Sequence, residues 1–393
     1  MINEKYLALG TKRSVIRELF EYGKKRKAEI GEDNVFDFSL GNPSIEPPPS
    51  LKDSIIAHLE NDNSISLHGY TSAQGDLKTR SVIAESIKKR FSFDISPDLI
   101  YMTCGAAASL TITLSALIVD GDEVLTFAPY FPEYAVFAQT AGAKFNAVSP
   151  NEEMGISFEK LQKCLNRSVK AIIINSPNNP SGVVFDKETI KKLAAVLKEK
   201  EVEYGHPIYL ITDEPYRELS YGVEVPYVPS FYDDTIVCYS YSKALSVPGD
   251  RIGYIAVSPK AADSGNVYFA ICGAGRALGY VCAPSIMQKV IADCVYDTSD
   301  IEKYKENRDV LCNGLKEMGY EFAKPDGAFY LFVKSPSGDG NEFSERAKKH
   351  EVLIVSGEGF GVKTHARISY CVDKKTIINS LPAFKKIMEE YQK

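Results

Sequence analysis

Signals for metals, membranes and nucleic acids are scarce in this sequence. Five histidines stand among 393 residues, with no His-Glu-x-x-His and no zinc-like spacing, so no metal site is expected. Eight cysteines, at 104, 164, 238, 272, 282, 294, 312 and 371, include no Cys-x-x-Cys pair. Several fall in apolar segments, which suits buried free thiols in a reducing compartment and an expected cytoplasmic location. The polar N-terminus has no apolar leader, so no signal peptide is expected. The longest apolar run, 105–119, carries Ser109, Thr111, Thr113 and Ser115. It is too short and too polar to span a bilayer and reads as a buried helix. Neither sign of charge dominates: Lys+Arg 46 stand against Asp+Glu 52, a net −6 that offers no nucleic-acid surface. The cluster Lys24-Lys25-Arg26-Lys27 reads as the solvated face of a helix. Internal repeats and low-complexity segments are missing too. Gly357-Glu358-Gly359-Phe360-Gly361 is not a Gly-x-Gly-x-x-Gly turn in a βαβ unit, which disfavours a nicotinamide dehydrogenase. One basic helix near the N-terminus is no helix-turn-helix module, which disfavours a DNA-binding regulator.

What is present is a chain able to bury a large core. Hydrophobic residues make up 44% of the 393, enough for two domains. Residues 11–30 have helical periodicity through Val15, Ile16, Leu19, Phe20 and Ala28, with Gly31 as a C-cap. A short strand at 35–40 leads to Pro47-Pro48-Pro49, a connector that marks a domain boundary. Helices are expected at 50–60 and 76–90, with a turn-rich loop from His68 to Gly75 between them. From residue 98, β-prone runs alternate mostly with helical stretches. The runs are 99–103, 123–127, 143–148, 171–175, 208–212, 235–239 and 252–257; the helices are 105–119, 131–141, 157–166 and 187–203. That alternation predicts an α/β fold with a mainly parallel sheet covered by helices on both faces. The tail is α+β: helices 285–296 and 300–318, strand 329–333, helix 342–349, strands 352–354 and 366–370, helix 374–391. The expected division is a large domain of 46–284 and a small one of 1–45 plus 285–393.

Ligands of open parallel sheets bind beyond the carboxyl ends of the strands, so the residues just after each strand are the place to look. Between the runs 235–239 and 252–257 lies a polar loop too short for a parallel crossover, so those strands are expected antiparallel. The loop carries Ser240, Ser242, Lys243 and Arg251, which suit an anion and a nucleophilic amine. Taken alone it reads first as a solvated basic loop. After 99–103 come Gly105, Ala106 and Ala107, where free backbone N–H groups at a helix start suit a phosphate. A plain tight turn is the alternative. Pro129-Tyr130-Phe131-Pro132 could stack on a flat ring or simply pack. Asn178-Asn179-Pro180 makes a rigid turn that could present the Asn179 amide. Asp213 ends an apolar strand, where a carboxylate needs a partner. Together these groups are the parts needed to hold pyridoxal 5'-phosphate: a lysine for a Schiff base, an acid for the ring nitrogen, a phosphate cradle and a stacking aromatic. Asn179 and Tyr216 would hydrogen-bond the phenolic oxygen, and Lys243 would shuttle the proton.

In this order the motifs resemble the fold-type I, class I/II aminotransferases, the aspartate aminotransferase superfamily. The match runs through Leu40-Gly41-Asn42-Pro43, Tyr70, Gly105-Ala106-Ala107, Pro129-Tyr130-Phe131, Asn178-Asn179-Pro180-Ser181-Gly182, Asp213-Glu214-Pro215-Tyr216, Ser240-Tyr241-Ser242-Lys243, Arg251 and Arg367. The resemblance implies a seven-stranded, mainly parallel sheet sandwiched by helices. It implies catalysis by Lys243, Asp213 and Tyr216. The cofactor would be bound by those three with Asn179, Ser240, Ser242, Arg251, Gly105, Ala106, Ala107 and Phe131. Tyr70 would reach the phosphate from a neighbouring subunit, which implies a homodimer. Arg367, with Gly41 and Asn179, would grip the substrate α-carboxylate, a task that suits a guanidinium fork better than a lysine. Arg276 matches the neighbourhood of a side-chain-reading arginine, or else serves a Gly-rich loop. The implied activity is exchange of an amino group between an L-amino acid and a 2-oxo acid. A Cβ–S lyase or an amino-acid decarboxylase is the alternative on the same residues. Three departures stand out: no Ser or Thr follows Gly105, Ser356 stands where a proline is usual, and the segment after Gly75 is shortened.

Overall fold

The computed structural model describes residues 2–11 and 15–393. It opens with helices Glu4–Thr11 and Val15–Ile30, where one helix over 11–30 is expected; residues 12–14 lie outside the described residues. Strand β1 (Phe36–Asp37) follows, then helices Pro49–Asn61, Ser64–His68 and Leu77–Phe91. Seven strands then build the central sheet: β2 (Ile100–Thr103), β3 (Glu123–Phe127), β4 (Lys144–Val148), β5 (Val169–Asn175), β6 (Tyr209–Glu214), β7 (Thr235–Ser240) and β8 (Gly253–Val257). Their order is β2-β8-β7-β6-β5-β3-β4. All neighbours are parallel except β8, which runs antiparallel to both β2 and β7. The polar loop from Ser240 to Arg251 therefore joins antiparallel neighbours, as its length predicts.

Alternation along the strands explains the two covered faces. Ala171 and Ile173 of β5 share one cluster with Leu110 and Leu114 of helix Ala106–Leu117. Ile172 and Ile174 share the other with Ile190, Leu193 and Leu197 of helix Lys187–Tyr204. A strand buried on both sides reads as a continuous apolar run, and each fully buried Ile or Leu contributes roughly 1.5–3 kcal/mol. Register brings the carboxyl ends into line: Asn175 sits opposite Asp213, Asp213 opposite Cys238, and Ser240 opposite Gly253. Gly253 also pairs with Thr103, so the start of β8 lies between the ends of β2 and β7.

The C-terminal part carries β9 (Tyr330–Lys334), β10 (Val352–Leu353), β11 (Val355–Ser356) and β12 (His365–Ser369). The order β11-β12-β9 makes an antiparallel sheet, and β1 pairs β10 in parallel. Two differences from the expected elements matter. Helix Ser264–Ala277 occupies a stretch without an assigned element, where Gly265, Gly273 and Gly275 obscure the helical pattern. It packs by Val267 and Ile271 into the cluster of Tyr101 and Leu110. Helix Ser285–Asp293 packs through Met287 and Val290 with Ile83 and Ile100, next to the central sheet.

Candidate active site

Beyond the aligned strand ends lies a cavity of about 280 Å³. Lys243, Asp213, Tyr216, Asn179, Ser240, Ser242, Arg251, Ala106, Ala107, Phe131, Gly41 and Arg367 all line it. Most of these residues converge here because they close a central strand or lie in the segment that follows it; Arg367 comes from within β12 and Gly41 from the loop after β1.

Lys243 stands on the single turn Tyr241–Ala244, directly after β7. Its Nζ donates to the Gly41 carbonyl at 2.9 Å. Burial brings the amine down to about 8; the Arg251 and Arg367 charges add to this and Cys371 opposes it. A neutral amine is a nucleophile, so this environment arms Lys243 at mild pH.

Asp213 lies near the end of β6 and is buried. Its Oδ2 accepts from the Tyr134 hydroxyl at 2.5 Å, and its Oδ1 has no hydrogen-bond partner among the described residues. Burial pushes the carboxyl up to about 7, the Tyr134 hydrogen bond pulls it back, and the Glu214 charge raises it further. An orphaned acceptor at the floor of a cavity fits a protonated ring nitrogen. Asn175 fixes the surroundings: its amide donates to the Asp213 carbonyl at 2.9 Å and its side-chain oxygen accepts from Asn179 N at 2.7 Å.

The opposite end of the cavity suits a dianion. Helix Ala106–Leu117 starts at Gly105, φ 88°, with no side-chain cap. Its first N–H groups are thus unsatisfied by the chain. Ser240 Oγ donates to Ser242 Oγ at 2.8 Å, and the Arg251 guanidinium lies against Gly105. Phe131 lines the wall between the two ends and meets Tyr134 edge-on at 5.7 Å between ring centres. Tyr130 packs on Phe145 instead and does not line this cavity.

Arg367, in the middle of β12, is buried, and burial lowers its pKa. Nη1 donates to Asn179 Oδ1 at 3.2 Å and Nη2 to the Ser39 carbonyl at 2.5 Å. Nε has no partner among the described residues. Tyr330 and Phe360 rings stand 4.8 and 4.9 Å from the guanidinium. A buried cation without a carboxylate is expensive to maintain, so the geometry favours an anionic ligand here. Gly41 has no side chain because any Cβ would strike the Tyr330 hydroxyl. That hydroxyl bonds the Tyr216 hydroxyl at 2.9 Å, and burial holds Tyr216 well above its usual pKa.

Two expected residues stand apart. Tyr70 is 98% exposed and does not line the cavity of its own chain. Arg276 is exposed in the last turn of helix Ser264–Ala277, not in a Gly-rich loop, and does not line the cavity either. Sequence reasoning missed Tyr134, Asn175, Tyr330 and Ile16. Asn175 alone had a usable signal, as a polar residue closing an apolar strand. Among the described residues no group of three His, Cys, Asp or Glu could hold a metal, and no helix is long and apolar enough to cross a membrane.

The chain is similar to known proteins along nearly its whole length. The crystal structure of an aminotransferase from Eubacterium rectale is 53% identical, covers all of both chains and superposes with a TM-score of 0.99. An aspartate aminotransferase structure from Thermotoga maritima is 28% identical, covers 96% of this chain and 98% of its own, and has a TM-score of 0.85. A probable aspartate aminotransferase from Methanocaldococcus jannaschii is 30% identical across 96% of this chain and 98% of that protein. The fold is that of the fold-type I aspartate aminotransferases. The family described as aminotransferase class I and II matches residues 33–383, and to that family of transaminases the chain belongs.

Proposed function

We propose that the enzyme exchanges an amino group between an L-amino acid and a 2-oxo acid, using pyridoxal 5'-phosphate attached at Lys243. The observation that carries this is the pairing of a buried amine lowered to about 8 with a buried carboxylate whose Oδ1 lacks a partner, facing one cavity. When bound, the cofactor draws electrons from the substrate Cα and so makes its proton removable. Asp213 Oδ1 would accept from the ring N–H and keep that nitrogen protonated. Tyr216 and Asn179 offer a hydroxyl and an amide to the ring's phenolic oxygen. Ser240, Ser242, Arg251 and the N–H groups at Ala106 and Ala107 would hold the phosphate. Phe131 would cover the ring face. Arg367 and Asn179 orient the substrate by its carboxylate, and Lys243 Nζ, once free, takes the Cα proton and returns it. Tyr70 completes the phosphate site of a second copy in a homodimer, which its exposure supports.

Within the chain, residues 46–293 form the large domain and 1–45 with 294–393 the small one, a boundary that lies beyond the expected 284. Helix Ser285–Asp293 goes with the large domain, because Met287 and Val290 pack beside Ile83 and Ile100. The chain is expected to work in the cytoplasm.

The test is titration of the purified holoenzyme with single L-amino acids, aspartate and aromatic ones included, while cofactor absorbance and 2-oxo acid are recorded. Amino transfer gives one equivalent of 2-oxo acid per site and a spectrum that an added 2-oxo acid restores. Release of pyruvate with ammonia would identify a lyase, and loss of carbon dioxide a decarboxylase. Lys243→Ala should remove the visible absorbance of covalently held cofactor together with turnover. Full turnover in that variant would overturn the assignment.

A further inference from the structure

A second cavity, also of about 280 Å³, lies beside the Lys243 segment and shares no lining residue with the first. Tyr239 and Tyr241, which bracket Ser240, form one wall; Arg90, Glu218, Tyr296 and Asp297 complete the charged and aromatic lining. Arg90 Nη2 donates to Glu218 Oε1 at 2.7 Å. The Glu218 side chain is only 9% exposed, and its Oε2 is buried without a hydrogen-bond partner among the described residues. Asp297 accepts from Ser50 Oγ at 2.6 Å. Lys89 Nζ lies 4.8 Å from the centre of the Tyr296 ring, so an aromatic face of this wall already attracts a cation.

The charges decide what the cavity suits. A simple anion would meet Glu218 and Asp297. A simple cation would meet Arg90 and Lys89. A small molecule carrying both signs on a short spacer meets neither conflict: its ammonium is drawn toward the Glu218 and Asp297 carboxylates, and its carboxylate turns to Arg90. Tyrosine rings favour an apolar or aromatic remainder. An unpartnered buried carboxylate oxygen is a deficit that a nearby ammonium offsets.

We propose that this cavity is a second small-molecule site that binds a free, zwitterionic α-amino acid apart from the catalytic cavity. The occupant would rest against Tyr241, two residues from Lys243. The site does not depend on the amino-transfer chemistry assigned above.

Equilibrium dialysis of the holoenzyme with radiolabelled L-phenylalanine tests it, after borohydride reduction has blocked reaction at Lys243. Binding should show a component that Glu218→Gln and Tyr296→Ala each weaken by at least about tenfold, with turnover retained. Tyr296 is 51% exposed, so its variant reports even where Glu218→Gln fails to fold. N-acetylphenylalanine and phenylalaninamide, each lacking one charge, should compete at least about tenfold less well. A component unmoved by Tyr296→Ala, or equal competition by either derivative, would overturn the proposal.

Discussion

At the scale of single residues, the site works by denying charged groups their usual solvation. Asp213 shows the consequence most directly. Its carboxyl sits at about 7 in the cofactor-free fold, against an ordinary 3.8, because it is buried. A raised acid binds its proton more tightly folded than unfolded. Its contribution to stability is therefore full below the unfolded value and is lost as pH rises through the folded one. Between about pH 4 and 7 the cofactor-free protein should lose stability on the order of a few kcal/mol from this group. Asp213→Asn should remove that slope, which denaturation curves across this pH range would reveal; parallel profiles for both proteins would count against a buried, unpaired Asp213. The same variant cannot anchor a ring proton, so its turnover should fall on the order of 10²–10³-fold. Lys243 shifts the other way, since burial favours the neutral amine. In the cofactor-free protein its modification by an acylating reagent should rise through about pH 8, as peptide mapping by mass spectrometry would show.

At the scale of elements, the strand ends were legible because buried parallel strands have a plain signature. Unbroken apolar runs such as Ala171–Ile174 end at polar residues, and the polar residues are the site. Helix Ser264–Ala277 was hidden by its glycines, whose low helix propensity is overridden by packing. Gly275 shows why glycine stands there: a Cβ would collide with the Tyr101 hydroxyl. Tyr134 escaped notice for another reason. It is an ordinary helical tyrosine by local pattern, and only tertiary contact brings it to Asp213. Close approach also governs Gly253, where β2, β7 and β8 meet. A Cβ there would press on the Tyr239 carbonyl and come within 3.1 Å of Gly105 Cα and 3.3 Å of Ser240 Cα. These neighbours are backbone and cannot swing aside. Gly253→Ala should therefore lower stability by about 1–3 kcal/mol and loosen the cofactor, because Gly105 and Ser240 flank the end of the cavity proposed for the phosphate. Chemical denaturation and the rate of cofactor loss on dilution would measure both; unchanged retention would mean the cradle tolerates the shift.

At the scale of the whole molecule, Tyr70 stands apart from the phosphate site proposed for its own chain. Tyr70 is exposed on the loop after helix Ser64–His68, near other exposed apolar residues in sequence such as Ile65, and lines no part of its own cavity. If the assembly is a symmetric pair, the same patch on each copy serves the other's site. This has a consequence that no single-chain arrangement shares. Take two variants, Lys243→Ala and Tyr70→Ala, each weak alone. In a mixed dimer one site would draw its lysine from the second variant and its tyrosine from the first, and would be intact; the other would lack both. Random reassortment makes half of the pairs mixed, so about a quarter of all sites should recover. Denaturing the two variants together and refolding them should restore turnover toward that level, while separately refolded samples mixed afterwards stay low until subunits exchange. Absence of rescue under conditions where sedimentation shows mixed dimers would mean that Tyr70 does not act across the pair.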